Sequence, residues 1–243
     1  MDGFDPLTSF GPDVAARDVD HLRGDEDETV SYLARLAAGR PVCELAIGTG
    51  RIAIPLAATG LDVCGIDQSA AMLEQLAARP GAAGIRAVRG DMTSDAPDGR
   101  FGLVYLVYNT IGNVLTQEGQ VAVFRNAAAR LTDDGVFLVE NFTPWQTMAK
   151  RQFVDAEHVS KGAVVLDVNT FDPATQLLSE NHVRITADGI RLGPIAQRLT
   201  TPAELDLMAG LAGLTLVERW GGWRGEPFSG DSVRHVSVWG QAG

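Results

Sequence analysis

The sequence predicts a doubly wound α/β sheet that is interrupted, after its fifth strand, by an antiparallel β insert. Three observations lead there. Strand-length apolar runs alternate with segments of helical period between residues 40 and 142, a glycine loop follows the first run, and from 145 to 200 turn clusters separate strand-like runs.

The chain has 243 residues, 45% hydrophobic and 21% charged, enough for one sizeable core with an insertion. Its 20 Lys plus Arg against 31 Asp plus Glu give a net charge of −11, so its average field repels a phosphate backbone and nucleic acid is not expected as a partner. No segment has the charged and apolar regions of an export signal, and none approaches the length of a membrane span. A cytoplasmic location without membrane attachment is the expectation. Cys43 and Cys64 both fall in apolar runs and are expected to be buried structural thiols. The histidines at 21, 158, 182 and 235 lack ligand spacing, so no metal is expected.

Each element follows from its residues. In "GDEDETVSYLARLAAGR", Val30, Leu33, Leu36 and Ala37 recur at helical spacing after an acidic start, and Gly39 with Pro41 ends the helix. "PVCELAI" is a strand, "GRIAIPLAATG" a helix, and "LDVCGID" a continuous apolar strand of the kind buried on both faces. "QSAAMLEQLAARPG" and "TQEGQVAVFRNAAARL" are helices, while "GIRAVRGDM", "GRFGLVYLVYN" and "DGVFLVENF" supply the third, fourth and fifth strands. "AVVLDVNTFD", "QLLSENHVRI" and "IRLGPIAQRLT" are antiparallel strands of a lid-like insert. Thr201, Pro202 and Glu204 then open a helix as N-cap, first position and capping-box partner, and "LTLVERWG" and "SVRHVSVWG" close the sheet. The expected division is an N-terminal helical segment over the site (1–39), a cofactor-binding domain (40–144 and 201–243), and the insert (145–200) as lid, substrate region or dimer contact; a homodimer is one expectation.

Ligands of such sheets bind beyond the carboxyl ends of the strands. There "GTGRIA", residues 48–53, satisfies the dinucleotide pattern G-x-G-x-x-G/A, and Asp67 ends the next strand where a ribose-binding acid belongs. A nicotinamide-dependent oxidoreductase is therefore one reading. Glu44 inside the first strand, Ala46 in place of the usual first glycine, and "RGDM" after the third strand favour another nucleoside cofactor.

Together these residues resemble class I S-adenosylmethionine-dependent methyltransferases, especially small bacterial ones with an E/D-x-A-x-G-T-G first motif. The resemblance spans about 40 to 143 and, more weakly, 201 to 240. It implies a Rossmann-like sheet, S-adenosyl-L-methionine as cofactor and S-adenosyl-L-homocysteine as product. It also implies residue roles. Gly48 and Gly50 would let the backbone approach the cofactor, and Glu44 would organise the loop or reach the methionyl amine through water. Asp67 would bind the ribose hydroxyls, with Gln68 beside them. Met72 would pack on the adenine, the alternative being core filling; Asp91 would accept from the adenine amine and Met92 offer its N–H. Tyr108 would line the sulfonium end. Ala46 suits a cofactor without a pyrophosphate, which needs no closest backbone approach.

Methyl transfer from a sulfonium is an in-line displacement in which the protein chiefly aligns the reactants. Asn113, His182 and Glu140 are the candidate catalytic residues. Asn109, Asn113, Trp145, His182 and Trp223 are the candidates for holding a small-molecule acceptor, methylated at N or O in a natural-product tailoring step. Asn113 departs from the histidine that similar sugar N-methyltransferases tend to carry there, which counts against an aminosugar. A member of this fold acting as a cyclase or binding module would keep the same cofactor residues.

Overall fold

The computed structural model describes residues 10–12, 14–15 and 23–241. His21 and most of the segment 1–22 lie outside the described residues. Helix α1 (Glu26–Ala37) carries Glu26, Asp27 and Glu28 in its first turn and Arg35 in its last, complementing the helix dipole. It stops where Ala38 and Gly39 adopt left-handed backbone, and it buries Val30, Tyr32, Leu33 and Ala37.

The βα alternation follows as expected: β1 (Val42–Leu45), α2 (Ala53–Ala58), β2 (Val63–Asp67), α3 (Ala70–Ala78), β3 (Arg86–Arg89), β4 (Phe101–Leu106), α4 (Gln117–Arg130) and β5 (Leu131–Phe142). A short helix α5 (Trp145–Met148) leads into the insert, β6 (Gln152–Val159), β7 (Ala163–Asp172), β8 (Leu177–Thr186) and β9 (Gly189–Arg198). Helix α6 (Pro202–Leu211) and strands β10 (Leu214–Trp220) and β11 (Arg234–Gln241) complete the chain. The Thr201–Glu204 capping box with Pro202 in the first turn of α6 is present as read from the sequence.

The strands form a seven-stranded sheet of order β10-β11-β5-β4-β1-β2-β3 and a separate four-stranded sheet of order β6-β7-β8-β9. The large sheet is mixed rather than wholly parallel, because β11 runs antiparallel to both β5 and β10. His235 is completely buried, since β11 lies inside the sheet; its Nδ1 is 2.8 Å from Ser237 Oγ. Period-two alternation divides the core between the faces. Cys43, Leu45, Val104 and Leu106 pack towards Phe124, Phe137 and Trp239, while Val42, Leu103 and Tyr105 pack towards Leu33 and Leu56. Cys43 and Cys64 are buried free thiols on neighbouring strands.

The insert has one strand more than the sequence suggested. In β6 a register shift between Ala156 and His158 breaks the alternation on which recognition of a strand depends. Where β9 returns to the main sheet, the buried Arg198 guanidinium anchors the two bodies. It donates to Gln120 Oε1 on α4 at 2.6 Å and to Glu204 Oε1 on α6 at 3.1 Å.

Candidate active site

Strand order reverses across β1, which pairs with β4 on one side and β2 on the other, and a cavity of about 990 Å³ opens beyond the carboxyl ends of these strands. That is the upper end of the size of small-molecule sites.

The chain leaves β1 through a tight loop in which Ala46, Gly48 and Gly50 have φ of 55°, 56° and 78°. Left-handed backbone costs a residue with a Cβ roughly 1–2 kcal/mol. The absent glycine is therefore missed by the backbone, and Ala46 holds a strained conformation at the cavity wall, as functional loops commonly do. Gly50 does not line the cavity. A Cβ there would lie 2.3 Å from Leu76 Cδ1, so this glycine serves the packing of the loop on α3.

Glu44 lies beneath the loop, 4% exposed, and its carboxylate accepts from the Tyr105 hydroxyl at 2.9 Å. Burial pushes its carboxyl up to about 8, against that hydrogen bond and the charge of Arg51. Asp67, at the end of β2, fastens the loop: Oδ2 accepts from Gly48 N and Oδ1 from Ser69 N, both at 2.8 Å. The N-cap of α3 is Ser69, whose Oγ accepts from Met72 N. Gln68, Met72, Asp91 and Met92 line the same end of the cavity, Met72 being 5% exposed. Asp91 Oδ1 accepts from Thr93 N at 2.8 Å, holding the turn after β3.

The turn after β4 is strained in a second way. Tyr108 and Asn109 have consecutive positive φ of 60° and 58°. Glu140, at the end of β5, holds it there: its carboxylate accepts from Tyr108 N at 2.7 Å and from both terminal nitrogens of Arg23, at 2.7 and 3.1 Å. Glu140 is fully buried and absent from the cavity wall, so its place in the structure is that of an anchor and not of a group touching the reactants. Asn109 Oδ1 accepts from Phe142 N, and Asn113 lines the cavity with a buried Oδ1 that has no hydrogen-bond partner. The Tyr108 ring lies between the guanidinium groups of Arg23 and Arg51, 4.3 and 4.1 Å from its centroid, and its hydroxyl donates to Glu26 on α1 at 2.8 Å.

The insert forms the opposite wall. His182 on β8 stands directly across from Asp167 on β7; Nδ1 lies 2.5 Å from Asp167 Oδ1 and Nε2 3.0 Å from Glu180 Oε1. The hydrogen bond to Glu180, with the charge of Asp167, pushes the imidazole up to about 9 in spite of partial burial. Burial raises the Asp167 carboxyl although His182 is beside it. Glu157, Asp167 and His182 bring ligand-type atoms within 4.8 Å of one another, a grouping that pairing of strands 15 residues apart creates and that no local spacing reveals. A protonated imidazole with both nitrogens on carboxylates acts there as a cation.

Two sequence candidates fall elsewhere. Trp145 is 41% exposed on α5 and does not reach the cavity. Trp223 packs edge-on against Tyr32 of α1, 5.7 Å between centroids, and is buried away from the site. An aromatic at an element end marks a pocket wall and core packing equally well. Sequence reasoning missed Arg51, Asp155, Asp167, Asn169 and Glu180 on the cavity wall; the alternation of β7 and β8 around His182 is the pattern that marks the last three.

Residues 42–135 match the family model of a methyltransferase domain. The CcbJ methyltransferase from Streptomyces caelestis is a solved structure 35% identical to this chain, with a TM-score of 0.92, covering 99% of this chain and 100% of that one. The chain belongs to the class I S-adenosylmethionine-dependent methyltransferases. The cofactor of this methyltransferase is S-adenosyl-L-methionine, and the nicotinamide reading of residues 48–53 is set aside. A curated relative, the cypemycin N-terminal methyltransferase of a Streptomyces species, is 28% identical over 206 residues, 82% of each chain. The fold is also that of the amino pentose methyltransferase CalS10 from Micromonospora echinaspora, 20% identical with a TM-score of 0.71, covering 95% of this chain and 96% of that one. Among the described residues, no helix of the methyltransferase is long and apolar enough to cross a membrane.

Proposed function

We propose that this methyltransferase acts in the cytoplasm on an amine nitrogen of a small natural-product molecule. The observation that carries the choice of nitrogen is the state of His182. It is the histidine on the cavity wall, both its ring nitrogens sit on carboxylates, and a cation of that kind takes no proton from a hydroxyl acceptor. An oxygen nucleophile gains most from a base, whereas a neutral amine carries its lone pair already. The relative named for N-terminal methylation supports the same reading.

The bound cofactor supplies an activated methyl on its sulfonium. The chain's residues fit its holding: Glu44 would offer its buried carboxyl to the methionyl amine, and Asp67 would offer a carboxylate to the ribose hydroxyls with Gln68 beside it. Met72 and Met92 would flank the adenine, whose amine would reach Asp91. Asn113 Oδ1, an unpaired acceptor, takes an N–H of the substrate and so points the lone pair; Asn109 keeps that turn in shape. Alignment of this kind contributes up to roughly 7–11 kcal/mol to catalysis.

The test is to incubate the protein with S-adenosylmethionine and matched small amines, phenols and alcohols, and to locate any added methyl by fragmentation mass spectrometry. Methylation at nitrogen, lowered about tenfold or more in kcat by Asn113→Ala with S-adenosylhomocysteine affinity retained, is expected. Methylation at oxygen overturns the choice of atom, and cofactor binding without any methylated product favours a non-methylating member of the fold.

A further inference from the structure

Among the described residues, two buried carbonyl oxygens on the cavity wall lack a hydrogen-bond donor. One is Asn113 Oδ1, already placed at the reacting nitrogen. The other is Asn169 Oδ1 on β7: the residue is 4% exposed, it lines the cavity, and its amide nitrogen is turned back onto the Asp167 carbonyl at 3.1 Å. A buried acceptor left unpaired is costly, so a ligand that brings a donor to it gains affinity. The surroundings of Asn169 are acidic. In the register it stands across from Glu180, and two residues along the same face Asp167 stands across from His182; Asp155 on β6 completes this wall. Three carboxylates thus face the cavity here against one imidazolium. Lys150 Nζ, 3.8 Å from Asp155 Oδ1, is exposed, and Arg184 and Arg191, further along the same face of the sheet, do not reach the cavity. On the rest of the cavity wall Arg23, Arg198 and Arg234 are paired with Glu140, Glu204 and Asp25, and Arg51 lies over Tyr108. Carboxylates and an amide carbonyl only accept, so the group that completes them is a donor and a cation.

Given nitrogen as the methylated atom, on which this rests, we propose that the acceptor carries a second, protonated amino group that is not methylated, and that Asn169, Asp167 and Glu180 hold it. An ammonium supplies three donors and a positive charge, which matches an orphan carbonyl flanked by carboxylates. The reacting nitrogen attacks through a free lone pair, whereas this one keeps its proton, so the two amines of one ligand are told apart by the walls that receive them. Position separates them as well. Gly112, next to Asn113, packs on β9, where a Cβ would meet Gln197 Cβ at 3.5 Å, and β7 is two strand spacings from β9, about 10 Å. One nitrogen cannot serve both oxygens. The substrate class is accordingly a small molecule with two basic nitrogens set about that far apart.

Calorimetry on the protein saturated with S-adenosylhomocysteine tests it, with 1,8-diaminooctane and 8-amino-1-octanol as probes. They match in length, and one ammonium of the first is a hydroxyl in the second. The diamine is expected to bind about tenfold or more tighter, the factor that a charge-assisted hydrogen bond supplies. Glu180→Gln and, separately, Asn169→Leu are each expected to cut that preference to about threefold or less. The net charge of −11 attracts any dication, so Asp188→Asn, the same change of charge at the β8–β9 turn and outside the cavity wall, is the control and is expected to leave the preference intact. Equal binding of the two probes, absence of diamine binding, or a preference that survives Glu180→Gln overturns the inference. So does an equal loss in Asp188→Asn, which would mark attraction by net charge alone. Adding S-adenosylmethionine and locating the methyl keeps the two readings apart: a diamine preference with no methyl on nitrogen keeps the cation site and overturns the choice of methylated atom, while N-methylation of both probes at equal affinity overturns the cation site alone.

Discussion

Glu44 on β1 and His182 on β8 face one cavity from opposite walls and obey different constraints. Glu44 sits in a strand buried along its whole length, paired in parallel with both its neighbours, and its environment is sealed by Tyr105 and the strained loop. His182 belongs to an antiparallel sheet, with its side chain 45% exposed, and is held by carboxylates from its own and the neighbouring strand. On the proposed function, the first wall would hold the cofactor and the second the acceptor. Backbone geometry dominates at one and side-chain charge at the other.

The joint between the walls is the place to break that comparison most severely. Arg198 is a buried guanidinium that contacts Gln120, Thr200, Gln176 and Glu204, and removing one partner of a buried charged network costs about 3–5 kcal/mol. Arg198→Ala is expected to lower stability to urea by that amount. A loss below about 1 kcal/mol, the range of surface ion pairs, would mean that the insert is held by other contacts.

Substitution of a residue from each wall separates cofactor from acceptor. Asp67→Ala removes a charged hydrogen-bond acceptor worth about 1.5–3 kcal/mol, so S-adenosylhomocysteine should bind about 10- to 100-fold more weakly in calorimetry. Glu180→Gln, on the opposite wall, is expected to leave that affinity unchanged. Equal losses in the two variants would erase the division of labour.

The first wall was legible in the sequence and the second was not, for physical reasons. Glu44, the loop and Asp67 lie within 24 residues, and their spacing is fixed by one βαβ unit that only a few residue types can build. Thr201 and Glu204 were legible for the same reason, since a capping box is a local contact. The partners of His182 come from long-range strand pairing, and β6 was hidden by its bulge. Glu140 looked catalytic because it ends a strand; only the fold shows Arg23, 117 residues away in sequence, saturating it. Trp223 could not be told from a pocket wall until Tyr32 was placed against it.

Titration of the two walls sharpens the comparison further, first at Glu44. Its carboxyl is raised from 4.5 to about 8, so between those values the native chain keeps a proton that the unfolded chain has lost. Stability from this group therefore falls as pH rises through that window. Glu44→Gln removes the fall, and its melting temperature relative to wild type should be higher at pH 8.5 than at pH 5.5. A difference that does not change with pH would show that the group is ionised throughout.

His182 should give the smaller effect, with the opposite pattern between variant and parent. Its value is raised from 6.5 to about 9, so the stability that its ion pairs contribute is complete below pH 6.5 and is lost as pH rises through 9. The side chain is nearly half exposed, and solvent screening limits the contribution to about 1 kcal/mol or less. His182→Gln should therefore melt below wild type at pH 6 and converge with it by pH 10, whereas Glu44→Gln diverges from wild type as pH rises. A constant deficit would assign His182 a packing role. Convergence, with a lowered KM for a cationic acceptor and an unaltered S-adenosylhomocysteine affinity, would place the charge of this wall on the acceptor side, because a purely structural ion pair would change the melting curve and leave KM alone.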